Sequence, residues 1–195
     1  MYKKLSSWIL TIAFCLFSLT AVSKSTASPY YQSGFLPFYQ HFLSSLQSYG
    51  ELLEIDDGSI WKINPYHRHH LSNWRPRDIL EISATNTYHG ERFYITNKTL
   101  NTYVIAELSL GPIVNNPCTN HISWIYQRDL IITSVSGIET RWIIDLSDAH
   151  KLTFWKQDEA IIIGKHTPAW FNWQDTNEVI LINVDKNEIV KAKLF

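Results

Sequence analysis

The chain has 195 residues, 17 Lys or Arg against 18 Asp or Glu, a formal net charge of −1, eight tryptophans and only seven glycines. A near-neutral surface disfavours counterion-driven binding of nucleic acid or of an anionic membrane. Two cysteines, Cys15 and Cys118, exclude a disulfide framework, and the scarce glycines leave little room for phosphate-cradling loops.

Residues 1–23 have the layout of an export signal. Lys3 and Lys4 precede an apolar run from Trp8 to Leu19, and Ala21-Val22-Ser23 offers a small-residue cleavage site. The run falls short of the roughly 20 apolar residues that a spanning helix needs, so no stable membrane span is expected after cleavage. Cleavage removes two lysines, leaves a formal charge of −3 and makes Cys118 the sole cysteine. The expected destination is periplasmic or secreted.

Residues 24–50 are read as an N-terminal arm followed by an amphipathic helix. Phe38, Phe42, Leu46 and Tyr49 fall on one helical stripe with Leu43 beside them, Pro37 suits the first turn, and Gly50 suits the position just past the end. From Glu51 the apolar period switches to two. Strands are expected at 52–55 and 59–63 around the turn Asp56-Asp57-Gly58, at 79–83, and at 93–96 and 102–108 around 97–101. A linker over 111–120 leads to a bridging strand at 121–126. Further strands follow near 130–136, 140–145, 160–163, 178–184 and 188–194.

The second set of strands repeats the first. Residues 61–82 align with 142–163 without a gap and share Trp61, Ile63, His69, Leu71, Trp74 and Ile82. Residues 97–108 align with 183–194 and share Asn97, Asn101, Val104, Ala106 and Leu108. Eleven identities in 34 positions far exceed the roughly one in sixteen that ordinary composition would give. The expected fold is therefore all-β: two degenerate repeats of a small five-stranded SH3-like or OB-like barrel, at 51–110 and 121–195, preceded by one short α-helix. Ala160-Ile161-Ile162-Ile163 and Val179-Ile180-Leu181-Ile182 are uninterrupted apolar strands. Both their faces should be covered, which makes the second repeat the central one.

Asp57-Gly58-Ser59-x-Trp61, then Trp74 and an acid at Asp78 before an Ile/Leu strand, resembles a module of uncharacterised exported bacterial β proteins. The resemblance covers 52–108 and, in part, 133–194, where Ile138-Glu139-Thr140 replaces the Asp-Gly-Ser turn. It implies architecture and export and carries no assigned activity.

The candidate sites are few. His67, Arg68, His69 and His70 form the densest polar cluster, and imidazoles bind divalent transition metals. In an extended loop His67 and His69 would point the same way. Of this cluster only His69 recurs in the second repeat, as His150, so His67, His69 and His150 are the metal candidates, weighed against a plain solvated loop. The shared tryptophans are read as core. The ligand-binding candidates are Trp170, Phe171, Asn172 and Trp173, which lie in a five-residue expansion of the second repeat and could stack on a sugar or a peptide. Asp78, Glu159, Asn97 and Asn183 are read as turn-holding residues. No nucleophile with an adjacent base is apparent, and no cofactor motif is present. The reading is a non-enzymatic exported protein that binds a protein or cell-envelope component, with free strand edges as one route to a partner. The alternative is a metal-dependent or carbohydrate-active protein using the histidine or the tryptophan loop.

Overall fold

The computed structural model describes residues 37–84, 92–167 and 177–195. The signal at 1–23, the arm up to 36 and Trp170, Phe171, Asn172 and Trp173 lie outside the described residues. Among the described residues twelve strands form two closed barrels. The first barrel is β1 (Gln40–Gln47), β2 (Leu52–Ile55), β3 (Ile60–Ile63), β4 (Ile79–Ala84), β5 (Phe93–Asn97) and β6 (Thr102–Leu110), arranged 1-2-3-6-5-4. The second is β7 (Asn120–Tyr126), β8 (Asp129–Ser134), β9 (Glu139–Ile144), β10 (Ala160–Lys165), β11 (Val179–Asn183) and β12 (Glu188–Leu194), arranged 7-8-9-12-11-10. The two orders are the same.

The pairing registers reproduce the sequence alignment. Trp61 faces Leu108 in the first barrel, and Trp142 faces Leu194 in the second. Ile95 faces Val104 just as Leu181 faces Val190. Each barrel has six strands rather than the five expected, and each gains its extra strand at its beginning. For the second barrel this is the bridging segment at 121–126. For the first it is the segment expected as an amphipathic helix, which is strand β1 followed by a 3₁₀ turn at Ser48–Gly50.

A β-bulge explains the misreading. Leu43 points into the core and pairs with Ile55, and the register then slips between Leu43 and Ser45, so that Leu46 rejoins the core face three residues later. A spacing of three looks helical, although here it is two plus one inserted residue. The second barrel has the same slip between Ile122 and Trp124, and Ile125 packs on its core.

The barrel interiors are filled. Trp61, Trp74 and Trp142 are essentially inaccessible and Trp155 is buried, so the shared tryptophans are core as expected. Each indole also finds an acceptor at an equivalent place. Trp61 Nε1 donates to Ser59 Oγ (3.0 Å) and Trp142 Nε1 to Thr140 Oγ1 (2.8 Å). Trp74 Nε1 donates to Thr102 Oγ1 and Trp155 Nε1 to Glu188 Oε2, both at 2.9 Å. Trp61 packs edge-to-face on Phe93 with ring centres 5.2 Å apart.

The two barrels share one interface, on the outer face of β10 and β11. Ile161, Ile163 and Leu181 point into the second barrel's own core, whereas Ile162, Ile180 and Ile182 belong to the core cluster of the first. This is the double burial that the continuous apolar strands predicted. Burying three isoleucines is worth roughly 5–9 kcal/mol. The backbones meet at Gly164, where a Cβ would stand 2.6 Å from the Ile82 carbonyl oxygen. Both sheets close among the described residues, which disfavours the expected route to a partner by strand addition. Among the described residues no helix is long and apolar enough to cross a membrane.

Candidate binding face

Asp78 and Glu159 do the turn-holding work expected of them. Asp78 Oδ2 accepts from the Arg75 backbone N–H (2.9 Å) and from Asn97 Nδ2 (2.7 Å). Glu159 Oε2 accepts from the Lys156 N–H (2.9 Å) and from Asn183 Nδ2 (2.7 Å). Asn97 and Asn183 in turn accept from the Leu100 and Lys186 N–H groups at 3.0 Å. These residues are tied into the scaffold.

Sequence reasoning missed a buried polar cluster at the barrel interface. His41 on β1 is almost wholly enclosed. Its Nδ1 lies 3.2 Å from Asp56 Oδ1, and its Nε2 lies 2.8 Å from the Ile163 carbonyl oxygen of the other barrel. A carbonyl can only accept, and so can an ionised carboxylate, so both ring nitrogens must donate and the ring is an imidazolium. Burial alone would lower its pKa. The bond to Asp56, the charges of Asp56 and Asp57 and the Ile163 carbonyl outweigh burial and raise it to about 9. Asp57 is pushed up to about 6, chiefly by burial and against the pull of His41.

Cys118 lies near these carboxylates. Burial, with the charges of Asp56 and Asp57, pushes its thiol up to about 12. Cysteine, histidine and aspartate are therefore grouped without forming a nucleophilic set: the thiol stays protonated, and the imidazolium has no lone pair with which to take its proton. The cluster joins parts of the fold. Asn116 Nδ2 donates to the Asp56 carbonyl (2.9 Å), and the Asp57 carbonyl accepts from the Ile113 N–H (2.9 Å), which docks the linker on the Asp56-Asp57-Gly58 turn. Beside it, Glu81 bonds Gln40 and Lys165 and neighbours Lys98. These contacts outweigh burial and hold its carboxyl below the usual range.

The histidine cluster is not an extended loop. Residues Pro65–Asn73 form a 3₁₀ helix, started by Asn64 Oδ1 accepting from the Tyr66 N–H (3.0 Å). Three residues per turn place His67 and His70 on one face, in place of the expected pair His67 and His69. Burial and the neighbouring imidazoles lower the pKa of His67. His150 occupies the matching 3₁₀ turn of the second barrel, Ala149–Phe154.

The most distinctive surface lies on the outer face of β3, β6 and β5, beside that 3₁₀ helix. Tyr94 and Tyr103 meet edge-to-face at 5.3 Å, and Tyr103 is 5.8 Å from the His67 ring. Next to them is a cleft of about 240 Å³ lined by Lys62, Asn64, Pro65, Arg92, Ile105 and Glu107, with Arg92 paired to Glu107 at 3.1 Å. Register equivalence gives this face its meaning. Tyr94, Thr96 and Tyr103 occupy the places that Ile180, Ile182 and Ile189 hold in the second barrel. There the same face is covered by the first barrel, whereas here Tyr103 is about half exposed.

No family model, no curated protein and no solved structure matches this chain.

Proposed function

We propose that the chain is an exported, non-enzymatic β protein that binds a protein or cell-envelope component, and that the outer face of β5 and β6 is its docking surface. One observation carries the reading: a barrel face that is an apolar intramolecular interface in one repeat is an open, tyrosine-bearing face in the other. Tyrosine is enriched where proteins meet, because its ring supplies contact area at low entropic cost and its hydroxyl tolerates water. The filled barrel interiors and the protonated Cys118 thiol support binding by an outer surface over catalysis in a cavity. The signal-like layout of residues 1–23 and the resemblance to exported bacterial β proteins support export.

Affinity capture of the exported form, comparing wild type with the double variant Tyr94→Ser/Tyr103→Ser and with Trp173→Ala, tests this. One partner lost only in the tyrosine variant supports the face. A partner kept there but lost with Trp173→Ala transfers the site to the 170–173 loop.

A further inference from the structure

We propose that His67 and His70 form a two-imidazole site for a divalent transition cation such as Zn²⁺ or Ni²⁺, at the margin of the tyrosine face. The inference is independent of the proposed partner. Three observations carry it. First, the 3₁₀ helix over Pro65–Asn73 stacks residues three apart, so His67 and His70 rise from one face without any rearrangement of the backbone.

Second, the ring spacing suits a shared ion. With metal–nitrogen bonds of about 2.0–2.1 Å and a ring centre about 1.1 Å beyond the nitrogen, two ligating imidazoles have centres about 3.2 Å from the metal. The 5.7 Å between the His67 and His70 ring centres then subtends about 125° at the ion, close to the tetrahedral range. His69 and His70 are only 3.9 Å apart, which would subtend about 75° and crowd the ligands. The spacing thus favours His67 with His70 over His69 with His70.

Third, His67 is set up as a ligand by its surroundings. Its ring lies 5.8 Å from that of Tyr103, an outer contact of the kind that helps orient metal-binding histidines. Its Nδ1 is buried with no hydrogen-bond partner, an orphaned atom that otherwise lacks an explanation. His70 is exposed, so an ion can reach the pair from solvent and complete its coordination with water. Bound there, it would tie the 3₁₀ helix together beside β6.

Titration calorimetry of the tag-free full chain with ZnCl₂, and separately with NiCl₂, decides the matter. The expected result is one ion per chain. His67→Gln and His70→Gln should each weaken binding by about 10–100-fold, at least the loss seen when an outer-shell partner is removed. His69→Gln and His150→Gln should bind as wild type does. His70 and His69 are exposed, so circular dichroism of those variants without metal should match wild type and separate a lost ligand from a lost fold. No saturable binding overturns the proposal. So does binding that survives both His67→Gln and His70→Gln, or binding that His69→Gln weakens as much as His70→Gln.

Discussion

Replacing His41 with glutamine should lower stability and, more tellingly, remove a pH dependence. The imidazolium joins Asp56 of its own barrel to the Ile163 carbonyl of the other. Its pKa is raised to about 9 in the fold, from an ordinary 6.5. A raised pKa means that the folded state holds the proton more tightly than the unfolded chain does. The resulting stability is therefore fully present below about pH 6.5 and is lost as pH rises through about 9. A shift of this size corresponds to about 3 kcal/mol, a large share of the 5–15 kcal/mol that holds a typical domain together. Urea unfolding of the purified protein at half-unit steps between about pH 6 and pH 10 would measure it. Wild type should lose most of that increment across the window, whereas His41→Gln should start about 2–4 kcal/mol lower at neutral pH and lose only the smaller part above about pH 9 that the raised Cys118 thiol contributes to both proteins. Parallel curves for the two proteins would refute the imidazolium assignment.

Three further outcomes follow from the same geometry. Ile180→Ala, at the barrel interface, should cost about 2–4 kcal/mol in chemical denaturation, whereas Tyr103→Ala at the equivalent but open surface should cost under about 1 kcal/mol. Gly58 has φ +82° and a Cβ there would meet the Ile113 side chain at 2.6 Å, while Gly137 has φ +87° with open space around it. Gly58→Ala should therefore lower the melting temperature clearly more than Gly137→Ala, which carries only the backbone penalty of about 1 kcal/mol. Cys118 should react with iodoacetamide at pH 8 only after unfolding, since its thiol is buried and pushed up to about 12; mass spectrometry of the alkylated peptide reads this out.

The repeat, the tryptophan cores and the turn-holding Asp78 and Glu159 were legible in the sequence because each depends on a local pattern that recurs at fixed spacing. The doubly covered strands β10 and β11 were legible for the same reason, since a run of isoleucines has no exposed face to spare. Strand β1 was not, because a bulge shifts the phase of its core residues and imitates a helical period. The signal that could have exposed it is the matching bulge in β7, although only Ser44 and Ser123 coincide between the two strands. The His41 cluster was invisible for another reason. Its partners lie on β1, on a turn at 56–57, on the linker and on β10, and only the docking of one barrel on the other brings them together. Of the tyrosine face, only Tyr103 opposite Ile189 was present in the alignment; Tyr94 opposite Ile180 came from the strand registers, and the face acquired meaning only once the isoleucine face was seen to be buried.

The central claim is that this open face receives a partner, and site-specific photo-crosslinking in the exporting cell tests it most directly. A benzophenone side chain placed at Tyr103 should capture a single polypeptide, and the same probe at Tyr126, an exposed tyrosine on β7 of the other barrel, should not. Capture from position 126 with none from position 103 would contradict the account.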